Sequence, residues 1–331
     1  MPTSIRSFAK INLGLKIGPA RADGFHELRT IYQTIALHDI VRVDLQRGTG
    51  IEICCKDARV PQDESNTCYR VAERVMRAAR RRDKVVIAIE KRLPVQGGLG
   101  AASSNAVATM LALERELGEQ LAAEERLRIA AEVGSDLPLF LIGGTMLGVD
   151  RGQEVYPLQD LPAMPLVVLT PAVGVSTPKA FADWDALVER EAELTHAGAA
   201  GTIKQFGSAV YAWLSEGFLS QAGPASGVPA GGGDRAETPL LDLVRAGIEN
   251  DFERVVFPEH PELREAKRVL EREGARYASL SGSGSTLYGL FISAKDAGAA
   301  AERIASAGYN VVVTTTLPRE EYWKAVAGGQ S

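Results

Sequence analysis

Cysteine is scarce in this 331-residue chain: Cys54, Cys55 and Cys68, two of them adjacent. An odd number at such spacing excludes a disulfide framework and shows no zinc-ligand pattern, which predicts a reducing, cytoplasmic setting. Basic charge is not in excess. Lys and Arg number 37 against 42 Asp and Glu, a net charge of −5. That balance opposes a role in gripping nucleic acid, where a basic stripe is needed. An anion can still be held at a local site. The uncharged stretch 161–178 carries four prolines and reads as strand and loop, so no membrane span is expected. The opening residues, MPTSIRSFAKINLGL, lack the charged-then-apolar layout of a secretion signal.

What is present is an ordinary globular composition, 45% hydrophobic and 24% charged. It excludes a disordered, collagen-like or coiled-coil chain. The length suggests two domains, long enough to bury a core without disulfides or a structural metal. Ile11, Leu13, Leu15 and Ile17 alternate with polar or small residues, predicting a strand, and Val41, Val43 and Leu45 predict another. Further strands are expected at 51–55, 84–91 and from Pro165, with a buried helical turn and strand in SDLPLFLIGGTMLGV. Helices are expected at 66–82, 103–117 (closed by Gly118), 122–133, 240–257, 261–273 and 295–307, and one capped by Thr177 before Pro178. A strand pair, 276–281 and 286–292, flanks SGSGS, and a strand at 309–316 finishes the domain. Residues 196–202 and 219–236 read as flexible surface loops. Helices on a mainly antiparallel sheet in each half make an α+β pattern with a boundary near residue 155.

Four segments could carry chemistry. The first is Pro94-Val95-Gln96-Gly97-Gly98-Leu99-Gly100-Ala101-Ala102-Ser103-Ser104-Asn105. Its glycines admit close approach of a ligand, and it feeds a helix whose free N–H groups and positive dipole end favour phosphate. The plainer alternative is a loop with a serine cap. A Walker A loop is excluded because no Gly-Lys dipeptide occurs. A dinucleotide fingerprint is excluded because Arg92, Leu93 and Pro94 intervene after the strand. In the second segment Lys10 and Asn12 share a strand face roughly 6.6 Å apart. RADGFHEL follows, bringing Phe25 and His26 to a turn. A solvated polar face and a structural histidine are the commoner readings of such residues. The third is Asp136, the one charged residue between Glu132 and Asp150. A carboxylate in apolar sequence needs a partner: it either caps the next turn or pairs with Lys10. The fourth, SLSGSGST from Ser279, is either a glycine hairpin or a close backbone approach to a ligand.

In order, KINLGL, PVQGGLGAASSNA and SLSGSGSTLYGLF resemble the three motifs of the GHMP kinase superfamily. AKINLGL, RADGFHEL, GSDLPLF and GVSTPKAF look most like the branch whose substrate is CDP-methylerythritol in the non-mevalonate (MEP) isoprenoid route. The resemblance implies a two-domain α+β fold, with a ribosomal protein S5 domain 2-like N-terminal domain, a ferredoxin-like C-terminal α/β sandwich and a cleft between them. The domains would be 1–155, which binds ATP, and 156–331, with a flexible insertion at about 196–236. It implies ATP-dependent phosphorylation of a tertiary hydroxyl with Mg²⁺, no nucleic-acid or membrane partner, and a monomer or weak homodimer. By matching motifs, Lys10 and Asp136 would be the catalytic pair. Residues Pro94, Val95, Gln96, Gly97, Gly98, Leu99, Gly100, Ala101, Ala102, Ser103 and Ser104 would bind ATP, with Gly97 to Ser104 holding the triphosphate, and Asn66 and Lys91 would contact the adenosine. Asn12, Phe25, His26, Thr177 and Phe181 would hold the cytidine diphosphate. No metal ligand is implied. Position 25 is Phe where that branch commonly has Tyr, which keeps a stacking face and loses a hydroxyl. The alternatives are the mevalonate or homoserine branches, which RADGFHEL and STPKAF oppose, and a catalytically silent nucleotide-binding relative, which the presence of both Lys10 and Asp136 opposes.

Overall fold

A computed structural model describes residues 2–95, 97–195 and 248–328. Gln96, the insertion and residues 240–247 of an expected helix lie outside them. The chain forms two compact units, each discontinuous in sequence. The first comprises Met1–Ile11, Tyr32–Asp160 and Thr314–Ser331, the second Asn12–Ile31 and Leu161–Val313. A single cut near residue 155 therefore separates only the middle of the chain. Two long strands, β1 (Thr3–Ala20) and β2 (His26–Gln46), each pass from one unit to the other. They are far longer than the patterns at 11–17 and 41–45 predict. Ser7–Leu15 is buried on both faces, and the alternation that marks the strand from Ile11 onward does not extend back over Ser7–Lys10.

In the first unit β3 (Ile51–Cys55) lies parallel to β4 (Lys84–Glu90), and β4 lies antiparallel to β2, with Val43 opposite Ile87. The sheet continues from β2 to β5 (Thr145–Val149) and β6 (Glu154–Pro157), and β1 also pairs with β2. Val85, Ile87 and Ile89 alternate inward along β4. They meet α1 (Thr67–Ala78), α2 (Ala101–Leu117) and α3 (Ala123–Val133), whose inward residues include Val71, Val75, Met110 and Ile129. Helix α1 stops four residues short of the expected end because Arg80 turns to φ 54 and the Arg81 amide folds back onto the Met76 carbonyl. Helix α2 starts two residues early, since Gly100 in the left-handed region forms its N-cap and draws Ser103 into the first turn. A short helix α4 (Leu137–Phe140) follows α3.

The second sheet has the order β10–β7–β9–β8, from β7 (Pro165–Leu169), β8 (Tyr277–Leu280), β9 (Leu287–Leu290) and β10 (Val311–Thr315). Helices α5 (Thr177–Thr195), α6 (Glu253–Glu259), α7 (Pro261–Arg272) and α8 (Ala294–Ser306) belong to this unit. Its core includes Leu15, Ile17, Val167, Phe252, Leu263, Leu280 and Ile304. Residues 248–252 are not helical as expected. The Asn250 amide donates to the Leu280 and Gly282 carbonyls, its Oδ1 accepts the Phe252 amide, and its backbone bridges Leu15. Thr177 is the first residue of α5 rather than its cap, and its hydroxyl shares a hydrogen bond with Ser283. A C-terminal helix, α9 (Arg319–Ala327), unforeseen in the sequence, buries Tyr322 and Val326 in the first unit's core.

All three cysteines are free, Cys54 exposed, Cys55 half-buried and Cys68 buried. Burial pushes the Cys68 thiol up to about 12, so it stays protonated and unreactive. An aromatic disulfide reagent should therefore titrate Cys54 and Cys55 in the folded protein and Cys68 only after denaturation.

Candidate active site

Strand β1 brings Lys10 into the first unit with its side chain almost wholly buried, 5% exposed. Its amide donates to the Leu99 carbonyl at 3.0 Å, which clips the glycine loop to the strand. Its ammonium lies 3.5 Å from Asp136 Oδ2. Asp136 stands just before α4, yet its side chain makes no capping bond there. The carboxylate, one-third exposed, faces Lys10 instead. Gly100 is where loop, strand and helix meet. A Cβ there would come within 3.0 Å of the Phe140 ring and 3.1 Å of Lys10 Cγ, and φ is +69. Only glycine fits the chain at this point without strain.

A cavity of about 330 Å³ opens beside the loop. Its walls include Asn66 and Lys91, together with Pro94, Val95, Gly97–Ser103 and Asn105. The α2 N-terminus contributes amide groups without helical acceptors and the positive end of its dipole. Ser104 is turned away from the cavity and its Oγ accepts a hydrogen bond from Ser7. Asn66 caps α1 by accepting the Cys68 amide and donates to the Pro61 carbonyl, so its side chain is engaged at both ends.

One buried residue organises this region. Asp39, 0% exposed, accepts from the Lys91 ammonium at 2.6 Å, the Arg92 and Leu93 amides at 2.7 Å each, and Asn105 Nδ2 at 2.9 Å. It ties the end of β4, the approach to the loop and α2 to one point on β2. The sequence carried the signal, an acid within IALHDIVRV, the same kind of signal that singled out Asp136. Asp39→Ala leaves Lys91 buried without its counter-charge. It should cost about 3–5 kcal/mol of stability, read from the urea midpoint.

The second unit holds another cluster. Residues 21–25 form the turn between β1 and β2, with the Arg21 amide donating to the Phe25 carbonyl at 2.7 Å. Phe25 is 51% exposed. His26 is buried, and its Nε2–H donates to Asp185 Oδ1 at 2.7 Å. Its ring stacks on Phe181 at 4.8 Å and 13°, and the edge of Phe252 closes on Phe181 at 5.0 Å. Phe181 and Asp185 sit one turn apart on α5, which aims both at the imidazole. The Asn12 amide donates to Thr30 Oγ1 at 2.7 Å.

Residues 66–144 match the GHMP kinases N terminal domain, and residues 236–310 the GHMP kinases C terminal domain. A 4-diphosphocytidyl-2-C-methyl-D-erythritol kinase of Solibacter usitatus is 38% identical over 289 residues, covering 87% of this chain and 80% of that protein. The chain belongs to the 4-diphosphocytidyl-2-C-methyl-D-erythritol kinase family. A crystal structure of 4-(cytidine 5'-diphospho)-2C-methyl-D-erythritol kinase superposes with a TM-score of 0.69 at 28% identity, covering 95% of this chain and 99% of that one. A homoserine kinase from Cytophaga hutchinsonii superposes with a TM-score of 0.67 at 19% identity, over 96% of each chain, and shows the fold alone.

Of the residues the family resemblance singles out, the structure therefore groups Lys10, Asp136 and the glycine loop in the first unit, with Asn66 and Lys91 lining the adjoining cavity. Phe181 and His26 form a stacked pair in the second unit, where Thr177 is bonded to the SGSGS turn through Ser283. Asp39, Asp185 and Tyr32, which donates to Asp136 Oδ1, were not foreseen. No helix among the described residues is long and apolar enough to cross a membrane.

Proposed function

We propose that the chain is an ATP-dependent kinase that phosphorylates the 2-hydroxyl of 4-diphosphocytidyl-2-C-methyl-D-erythritol. The observation that carries the reading is the Lys10–Asp136 pair at 3.5 Å, with Lys10 clipped by its own amide to the glycine loop. Phosphoryl transfer needs alignment and charge compensation more than covalent chemistry. ATP places its base in the cavity lined by Asn66 and Lys91 and its phosphates on the loop amides at the α2 N-terminus. The acceptor hydroxyl oxygen bonds to the γ-phosphorus as the bond to ADP breaks. Its proton passes to Asp136. A carboxylate is a weak base towards an alcohol, so that transfer comes late, once the new bond has begun to form. Lys10 orients the hydroxyl and compensates charge on the moving phosphoryl group.

Among the described residues, no three His, Cys, Asp or Glu side chains gather into a metal cage. Magnesium that arrives on nucleotide phosphates needs only one or two protein oxygens. The Ser103 hydroxyl in the first turn of α2 fits that small requirement. The ion supplies positive charge to the phosphates. In the second unit Asn12, Phe25, His26, Thr177 and Phe181 are assigned to the cytidine diphosphate end. Phe25 offers an exposed stacking face, and Asp185 fixes the His26 ring.

The deciding experiment measures ADP release with ATP and, in turn, the cytidylylated methylerythritol, mevalonate and homoserine. Release is expected with the first alone. Comparable turnover on either of the others would overturn the assignment.

A further inference from the structure

Tyr32 touches both members of the pair from a buried position. It is 3% exposed. Its hydroxyl donates to Asp136 Oδ1 at 3.3 Å, and the Lys10 ammonium lies over its ring, 5.4 Å from the centroid. Asp136 has no capping bond to its own helix, so the phenol is what holds Oδ1. Burial, followed by the Asp136 charge, raises the phenol well above its ordinary range, which keeps it a donor. A second feature makes room for it. Gly152, at φ +92, has no side chain where a Cβ would stand 2.6 Å from the Tyr32 oxygen.

We propose that Tyr32 is a positioning residue for phosphoryl transfer: its hydroxyl occupies Oδ1 of Asp136, leaving Oδ2, on the Lys10 side, as the oxygen that receives the acceptor's proton, while its ring seats the Lys10 ammonium. The proposal rests on the kinase reading above. A hydrogen bond to a carboxylate that matters only when the proton moves should appear in kcat and not in KM.

Tyr32→Phe keeps the ring beneath Lys10 and removes only the hydroxyl. Its kcat should fall roughly 10- to 100-fold, the usual worth of a hydrogen bond to a charged group, with KM for both substrates within about twofold. The decisive readout is the double-mutant cycle. On an Asp136→Asn background, Tyr32→Phe should cost no further turnover, because two residues acting through one another are not additive. A kcat within about twofold of wild type, a loss confined to KM, or an equal further loss on the Asp136→Asn background would each overturn the proposal. If Asp136→Asn alone keeps near-normal turnover, the general-base reading fails and takes this role of Tyr32 with it. An effective Asp136→Asn combined with an additive Tyr32→Phe sinks only the role of Tyr32.

Discussion

Asp136→Asn lowers turnover by about 10²–10⁴-fold, the span expected when a general base is removed. The substitution keeps the size and shape of the side chain and takes away its basicity. It also takes the counter-charge from an ammonium 3.5 Å away on a nearly buried lysine. Some stability should be lost as well, because the nearly buried Lys10 ammonium is left without its counter-charge, although the carboxylate itself is one-third exposed and caps no helix. ATP affinity should be nearly preserved, since Asp136 is not among the residues lining the cavity beside the loop. Steady-state kinetics with both substrates, alongside a thermal melt, separate these effects. Near-normal turnover in a normally folded variant would remove Asp136 from the proton transfer.

Local chemistry was legible in the sequence and long-range organisation was not. The glycine loop, the RADGFHEL turn and the Asp136 segment announce themselves because their signals lie within a dozen residues. Gly118 closes α2 where the pattern placed it. Strand β1 escaped full detection because burial on both faces leaves no period-two pattern over Ser7–Lys10, and only its part from Ile11 onward alternates. The passage of β1 and β2 from one unit to the other also hides the discontinuous division of the chain. Tyr32 and Asp136 are 104 positions apart, and no local pattern links a tyrosine in a buried strand to an acid before α4. Asp39 could have been singled out as an acid in apolar surroundings. Its four donors, from the segment that follows β4 and from α2, could not. The His26–Phe181 stack joins a hairpin to a helix about 155 residues later, so each residue was visible and their contact was not.

Lys10→Ala should have the largest effect of all, lowering turnover by roughly 10³-fold or more, with KM for ATP nearly unchanged. The loss combines two terms. A fixed positive charge aimed at a developing negative one contributes on the order of 10²–10³-fold in a site shielded from water, and the acceptor hydroxyl loses the group that orients it. Neither term operates on bound ATP in its ground state, so the effect belongs in kcat. Packing is a competing explanation, because the lysine stem lies against the position where a Gly100 Cβ would stand, and its tip over Tyr32. Lys10→Met separates the two, since it refills most of the apolar volume without the charge. If the charge carries catalysis, Met restores stability towards wild type but leaves turnover at the Ala level. Lys10→Arg should not rescue either, because a planar, forked guanidinium cannot occupy the same buried point beside Asp136. Recovery of turnover by Met would mean that Lys10 serves the fold of the loop and not the transfer of the phosphoryl group.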